Sequence, residues 1–289
     1  MKRKISCLSA LATFVIASLF AICAFAAGPG SFGFEYPSGL AIQVWTYEPE
    51  TLSPKTKVVF VMHGVGRNGE DYRDQWVNLA EENGFLLIVP EFSQADFPGA
   101  ENYNLGGVLD NSGAITPETG WAYSYIEALF DDVREKYGLN AQSYAIYGHS
   151  AGAQFVHRFV LYKPEARASA VVVANAGWYE MPDKETAFPY GLKDSGVDEE
   201  RLRGFLKKPL TVLLGDADID PNARSLRRTP EALAQGANRF ERGHAFFAAG
   251  KKAAEEAGAE FNWSLAIAPG VAHDNAKMAP HAVKFLLAD

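Results

Sequence analysis

Residues 143–162 constrain the fold more than any other stretch of the chain. Ser143 to Tyr147 is a short run of aromatic and aliphatic residues with the character of a strand. It passes directly into Gly148-His149-Ser150-Ala151-Gly152, and Phe155 to Tyr162 then reads as a helix closed by Lys163-Pro164. A strand that becomes a helix within five residues needs glycines where the backbones approach, and it leaves its central side chain exposed at the strand end. Such a turn belongs to sheets whose strands alternate with helices, so the rest of the chain should show that alternation.

It does. Val58-Val59-Phe60-Val61-Met62 is apolar at every position, as a strand covered on both faces must be, and it stops at His63-Gly64. Asn68 and Asp71 resemble a capping box opening a helix that ends near Gly84, and Phe85 to Val89 is the next strand. Thr116-Pro117-Glu118 signals a helix start, with Tyr125, Leu129 and Val133 recurring every four residues up to Gly138. Ala170 to Val173 and Leu210 to Leu214 supply two more buried strands. Thr229-Pro230-Glu231 opens a helical region to about Ala257, Trp263 to Ile267 is a last strand and Pro280 to Leu287 a last helix. The expected fold class is α/β: a mainly parallel sheet with helices on both faces. Between the strands ending at Val173 and starting at Leu210, the irregular, aromatic and charged segment at about 178–208 is expected to cover a site.

The first residues set the compartment. Lys2-Arg3-Lys4, an apolar stretch from Leu8 to Phe25 and Ala24-Phe25-Ala26 have the order of a secretory signal peptide, so residues 1–26 are expected to be removed and the product secreted or periplasmic. The remaining 263 of 289 residues fit one domain, 27–289, without an internal repeat or linker. Cys7 and Cys23, the two cysteines, leave with the signal, which excludes a cysteine nucleophile and disulfides from the mature protein. The net charge of −8 becomes −11 once Lys2, Arg3 and Lys4 are lost, because no acid precedes Glu35. That balance argues against nucleic acid or anionic membrane as partners, and no stable membrane insertion is expected after cleavage. Oligomeric state is not encoded in any recognisable pattern.

A serine hydroxyl attacks a carbonyl only when it is exposed and a base takes its proton. Ser150 has the exposure. Of the six histidines, His63 and His149 sit in turns, and His157, His244 and His281 fall in predicted helices. His273 alone lies on a loop directly after the last strand, in Pro269-Gly270-Val271-Ala272-His273-Asp274. The acid that orients the imidazole should follow the strand ending at Leu214, where Asp216, Asp218 and Asp220 crowd. Asp218 is preferred and Asp216 is its main competitor. A calcium loop begun at Asp216 would need Gly at 221 and Glu at 227, where the chain has Pro221 and Arg227. The oxyanion donors are expected on Ala151 and on Val65 in His63-Gly64-Val65-Gly66, although that turn could simply close its strand. Arg67 and Asn68 either line the same pocket or, more in keeping with Asn68, cap the next helix. No metal or cofactor is expected.

On His63-Gly64, Gly148 to Gly152, Gly215 to Asp218 and Gly270 to His273, the chain resembles the α/β-hydrolase superfamily across nearly all of its mature length. It looks most like the polyhydroxybutyrate-depolymerase-like esterase branch. The resemblance implies hydrolysis of small or oligomeric esters through an acyl-serine, without a cofactor. His63, Arg67, His149, Trp178 and Tyr179, with Phe188, are candidates for the substrate pocket, and core packing is the alternative for the aromatics. A serine peptidase or amidase, including one acting on a poly-amino acid, would use the same machinery, and a non-catalytic binding protein could keep the fold. Arg224, Arg227 and Arg228 either pair with Asp216 or Asp220 on a solvated face or hold a carboxylated substrate.

Overall fold

The computed structural model describes residues 27–36 and 39–288, so the expected signal peptide lies outside the described residues. The strands are β1 (Gly28–Glu35), β2 (Ala41–Glu48), β3 (Val58–Met62), β4 (Leu86–Glu91), β5 (Tyr144–His149), β6 (Ala168–Ala174), β7 (Leu210–Gly215) and β8 (Ser264–Ala268). The helices are α1 (Gly69–Asn83), α2 (Ser124–Tyr137), α3 (Ala151–Tyr162), α4 (Glu199–Lys207), α5 (Pro230–Ala234), α6 (Arg239–Ala257) and α7 (Asn275–Leu286). One sheet of eight strands runs in the order β1-β2-β4-β3-β5-β6-β7-β8. From β4 to β8 every pairing is parallel, and β1 and β2 add an antiparallel edge.

Period-two alternation divides the strand residues between two apolar layers. Phe60, Met62, Ile88, Ile146, Val173 and Leu214 face the layer built with α2, α3, α4 and α6. Val59, Val61, Leu87, Tyr147, Val172 and Leu213 face the opposite layer, formed with α1 and α7. This is why β3, β5 and β7 are buried at every position, while the edge strand β1 alternates between exposed residues and ones that are half-buried or, at Phe34, buried. Parallel strands place their C-terminal ends on one rim, and the turns after β3, β5, β6, β7 and β8 gather there.

Several local expectations change in the folded chain. Asn68 sits at the N-terminus of α1, but its side chain donates to Asp71 Oδ2 at 2.8 Å instead of capping. The Gly69 N–H goes to the Glu91 carboxylate at 2.9 Å, a charged acceptor supplied by β4. Thr116-Pro117-Glu118 starts only a 3₁₀ turn, and α2 begins at Ser124. The Thr116 hydroxyl donates to the Gly107 carbonyl at 2.6 Å and so caps nothing. The helical region after Thr229 is two helices, because Gly236 at φ 147° breaks it and Asn238 caps a new start by accepting from Glu241 N–H. The last helix begins at Asn275, capped by Asp274, with Pro280 inside it. The segment at 178–208 contains α4, whose start Asp198 caps by accepting from Arg201 N–H. Among the described residues no helix is long and apolar enough to cross a membrane.

Candidate active site

Ser150 stands between β5 and α3 at φ 57° and ψ −114°, a conformation few non-glycine residues adopt. Its N–H donates to the Ala174 carbonyl at 3.0 Å, which ties the turn to β6. The glycines on either side permit the close approach. A Cβ on Gly152 would collide with the Met62 carbonyl and lie 2.8 Å from His63 O, and one on Gly148 would lie 2.7 Å from Ala153 N. The Ser150 side chain is therefore held proud of the sheet by backbone packing on both sides.

The turns after β7 and β8 are stitched together beside it. Asp216 Oδ1 accepts the Gly270 N–H at 2.6 Å, and the Ala217 N–H donates to Val271 O at 3.1 Å. Asn175, at the end of β6 with φ 48°, accepts from Gly215 N–H at 2.9 Å and donates to Ala272 O at 3.3 Å, a linking role with no distinctive sequence signal. These bonds bring together three of the predicted side chains. His273 Nε2 lies 3.0 Å from Ser150 Oγ, and His273 Nδ1 lies 2.7 Å from Asp218 Oδ2. A carboxylate can only accept, so Nδ1 carries the proton and the Nε2 lone pair faces the serine hydroxyl. Of the competing acids, Asp218 is buried against the imidazole. Asp216 is occupied with Gly270, and Asp220 accepts from Asn222 N–H at 2.8 Å. The second oxygen of Asp218 accepts from Arg239 Nη1 at 3.2 Å, a partner the sequence reading missed.

Ala151 is the first residue of α3, where N–H groups have no carbonyl partner inside the helix. The turn Gly64–Arg67, closed by the Arg67 N–H to Gly64 O bond at 3.2 Å, lies against the serine. A Cβ on Gly64 would be 3.9 Å from Ser150 Cβ. Val65, at the tip of that turn, has its side chain in solvent.

The residues proposed for a pocket take other roles. His63 is fully buried, with Nε2 accepting the Phe92 N–H and Nδ1 donating to Gly64 O, both at 3.0 Å. Burial pushes its pKa down to about 4. Arg67 is buried over the Tyr103 ring and pins the loop after β4 by donating to Phe92 O and Gly99 O. His149 lies under the site, its ring 4.6 Å from that of His273 and its Nδ1 3.2 Å from the Tyr72 hydroxyl. Burial, with His273 and Arg239 nearby, holds it well below the ordinary histidine range. Tyr179 is a core residue stacked on Phe246, and Trp178 is buried between Arg158 and Arg227. Phe188 packs with Leu105, Trp178, Tyr190 and Ala232. These aromatics anchor the segment after β6, as does the fully buried pair Arg158–Glu180, which joins that segment to α3.

Arg224, Arg227 and Arg228 make no ion pair with Asp216 or Asp220 among the described residues. Arg227 donates to the Tyr190 hydroxyl, Arg228 donates to Pro221 O, and Arg224 is exposed. A cavity of about 910 Å³ between Met181–Thr186, α4 and α6 includes none of Ser150, Asp218 and His273, so it is separate from this site.

No protein-family model and no curated protein sequence matches the chain. Solved structures do. Poly(aspartic acid) hydrolase-1 from Sphingomonas sp. KT-1 is 46% identical over 91% of this chain and 100% of its own, with a TM-score of 0.89. LpqC, a poly(3-hydroxybutyrate) depolymerase from Bordetella parapertussis, is 35% identical over 91% of this chain and 90% of its own, with a TM-score of 0.86. An S-formylglutathione hydrolase from Agrobacterium tumefaciens, 16% identical with a TM-score of 0.54, shares the fold. The sheet order and these similarities define an α/β-hydrolase, an enzyme that hydrolyses ester or amide bonds. The chain belongs to the polyhydroxybutyrate-depolymerase-like branch of that family.

Proposed function

We propose that the chain is a secreted serine hydrolase that depolymerises an anionic poly-amino acid by cleaving its backbone amides. The observation that carries the serine mechanism is the continuous hydrogen-bond path Ser150 Oγ–His273 Nε2, His273 Nδ1–Asp218 Oδ2, with both distances at 3.0 Å or below. His273 takes the hydroxyl proton as Ser150 attacks the carbonyl, and Asp218 stabilises the imidazolium that forms. The Val65 and Ala151 N–H groups receive the oxyanion. His273 then protonates the departing amine, water enters, and the same base activates it to release the acid and restore Ser150.

Sequence motifs alone put esters first. Two observations move the amide substrate ahead. The similarity to poly(aspartic acid) hydrolase-1 is higher than that to the poly(3-hydroxybutyrate) depolymerase, at 46% against 35% identity. On the segment that carries Asp218, Arg224 and Arg228 are exposed cations without carboxylate partners among the described residues, available to a carboxylated chain. A polymer cannot cross a membrane, so the expected signal sequence fits a substrate met outside the cell. Size-exclusion chromatography of poly(aspartic acid) incubated with the mature enzyme should show progressive shortening. An intact polymer alongside rapid turnover of p-nitrophenyl butyrate would return the reading to an esterase.

A further inference from the structure

We infer that Arg239 is a positioning residue that clamps the acid of the catalytic triad and limits the negative charge which that acid presents to the imidazole. This rests on the proposed roles of Ser150, His273 and Asp218. Asp218 has two oxygens, and each has a different cationic or potentially cationic partner. Oδ2 faces His273 Nδ1 at 2.7 Å, and Oδ1 accepts from Arg239 Nη1 at 3.2 Å. Both members of the second pair are buried, at 4% and 1% exposure, so solvent screens their interaction little.

The guanidinium is itself fixed. Its Nη2 donates to Ser225 Oγ at 2.9 Å, on the loop that follows the acid. Arg239 is the first residue of α6, and the next N–H, of Phe240, donates to the Asp218 carbonyl at 3.4 Å. The N-terminus of a 19-residue helix thus docks on the backbone and the side chain of one aspartate. Three residues on, Arg242 donates to Gly236 O, Gly177 O and Arg227 O, locking the same end of α6 to the segment after β6. The carboxylate therefore has one orientation, with Oδ2 presented to the imidazole.

The arrangement has a chemical consequence. An aspartate whose charge is shared with a permanent cation stabilises the imidazolium less than an unshared one. Without Arg239 the imidazole would face more of that negative charge. Charged or titratable groups near this cluster include His149, beneath His273 and near Arg239, Arg242 beside Arg239, and Tyr179 near Asp218, with Asp216 and Asp274 on the same two loops. His149 and Tyr179 are buried and held neutral, and Arg242 adds positive charge in the same sense.

The test is the pH profile of kcat/KM with p-nitrophenyl butyrate for wild type, Arg239→Met, Arg239→Lys and Ser225→Ala, each with its melting temperature recorded. Arg239→Met should move the acid limb to higher pH by on the order of one unit, as loss of a charge one hydrogen bond beyond the carboxylate implies. It should also lower kcat more than it raises KM. Arg239→Lys should restore the limb but not the full kcat, because an ammonium keeps the charge and not the planar fork. Ser225→Ala, which removes only the exposed support of the guanidinium, should shift the limb a few tenths of a unit in the same direction, and it decides the matter if Arg239→Met does not fold. An acid limb at the wild-type position in every folded variant would overturn the inference and leave Arg239 a structural peg. Absence of turnover and of fluorophosphonate labelling in the wild type would instead overturn the triad assignment itself.

Discussion

Replacing His63 by glutamine should remove a defined share of the acid sensitivity of folding. Both ring nitrogens are hydrogen-bonded, the ring is stacked on Tyr103 with no exposed surface, and burial holds its pKa at about 4 against an ordinary 6.5. The imidazole stays neutral in the folded chain at pH values where the unfolded chain binds a proton. Its contribution to stability is complete above the unfolded value and falls with decreasing pH by about 1.4 kcal/mol per unit, until the folded value is reached. Between pH 7.5 and pH 5.0 that loss amounts to about 2 kcal/mol. Glutamine can still accept the Phe92 N–H but does not titrate, and the buried His149 and His157 are present in both proteins, so their contributions cancel. Urea unfolding of both proteins at the two pH values measures the difference. The wild type should lose about 2 kcal/mol more than the variant over this range. Equal losses would refute the buried neutral imidazole and reopen a place for His63 in the substrate pocket.

Three further outcomes follow from the site geometry. Asp218→Asn should lower kcat by about 10⁴-fold, because an amide can donate to Nδ1 and so favours the wrong tautomer. Asp216→Asn, which touches only the Gly270 N–H, should lower it less than about tenfold, and steady-state kinetics on one ester separates them. Gly152→Ala places a methyl group against the Met62 carbonyl and 2.8 Å from His63 O, both backbone and unable to swing aside. The expected result is about 1–3 kcal/mol lost in urea unfolding, and about 10²-fold lost in kcat/KM from displacement of Ser150.

The features legible in the sequence are those whose physics is local or strictly periodic. Strands β3, β5 and β7 announced themselves because a doubly covered strand is apolar along nearly its whole length, and β3 at every position. The Ser150 turn was visible because two backbone collisions demand glycine at fixed spacing. Asp218 and His273 could be placed together because they follow successive late strands, though Asp218 was separated from Asp216 only by where the folded loop turns each carboxylate.

What escaped depends on long-range partners. Strand β1 interleaves Gly28, Gly30 and Gly33 with two phenylalanines, a weak pattern that becomes a strand by pairing with β2. Helix α4 is so charged that it read as irregular, yet Leu202, Phe205 and Leu206 form its buried face. Pro280 suggested a helix start, whereas the Asp274 cap had already begun the helix five residues earlier. Trp178 and Tyr179 have the composition of a pocket wall and of a core alike, and only their neighbours Arg158, Arg227 and Phe246 decide between them. Arg239 drew no notice inside a helical region expected to run unbroken from Thr229 to about Ala257, since its carboxylate partner lies 21 residues away.

Ser150 is the proposed nucleophile. Incubation of the purified protein with a fluorophosphonate, followed by peptide mass spectrometry, should find a single phosphonylated residue, Ser150, with labelling abolished in Ser150→Ala and strongly slowed in His273→Gln. An unlabelled wild-type protein that still hydrolyses its substrate, or labelling that persists in Ser150→Ala, would contradict it.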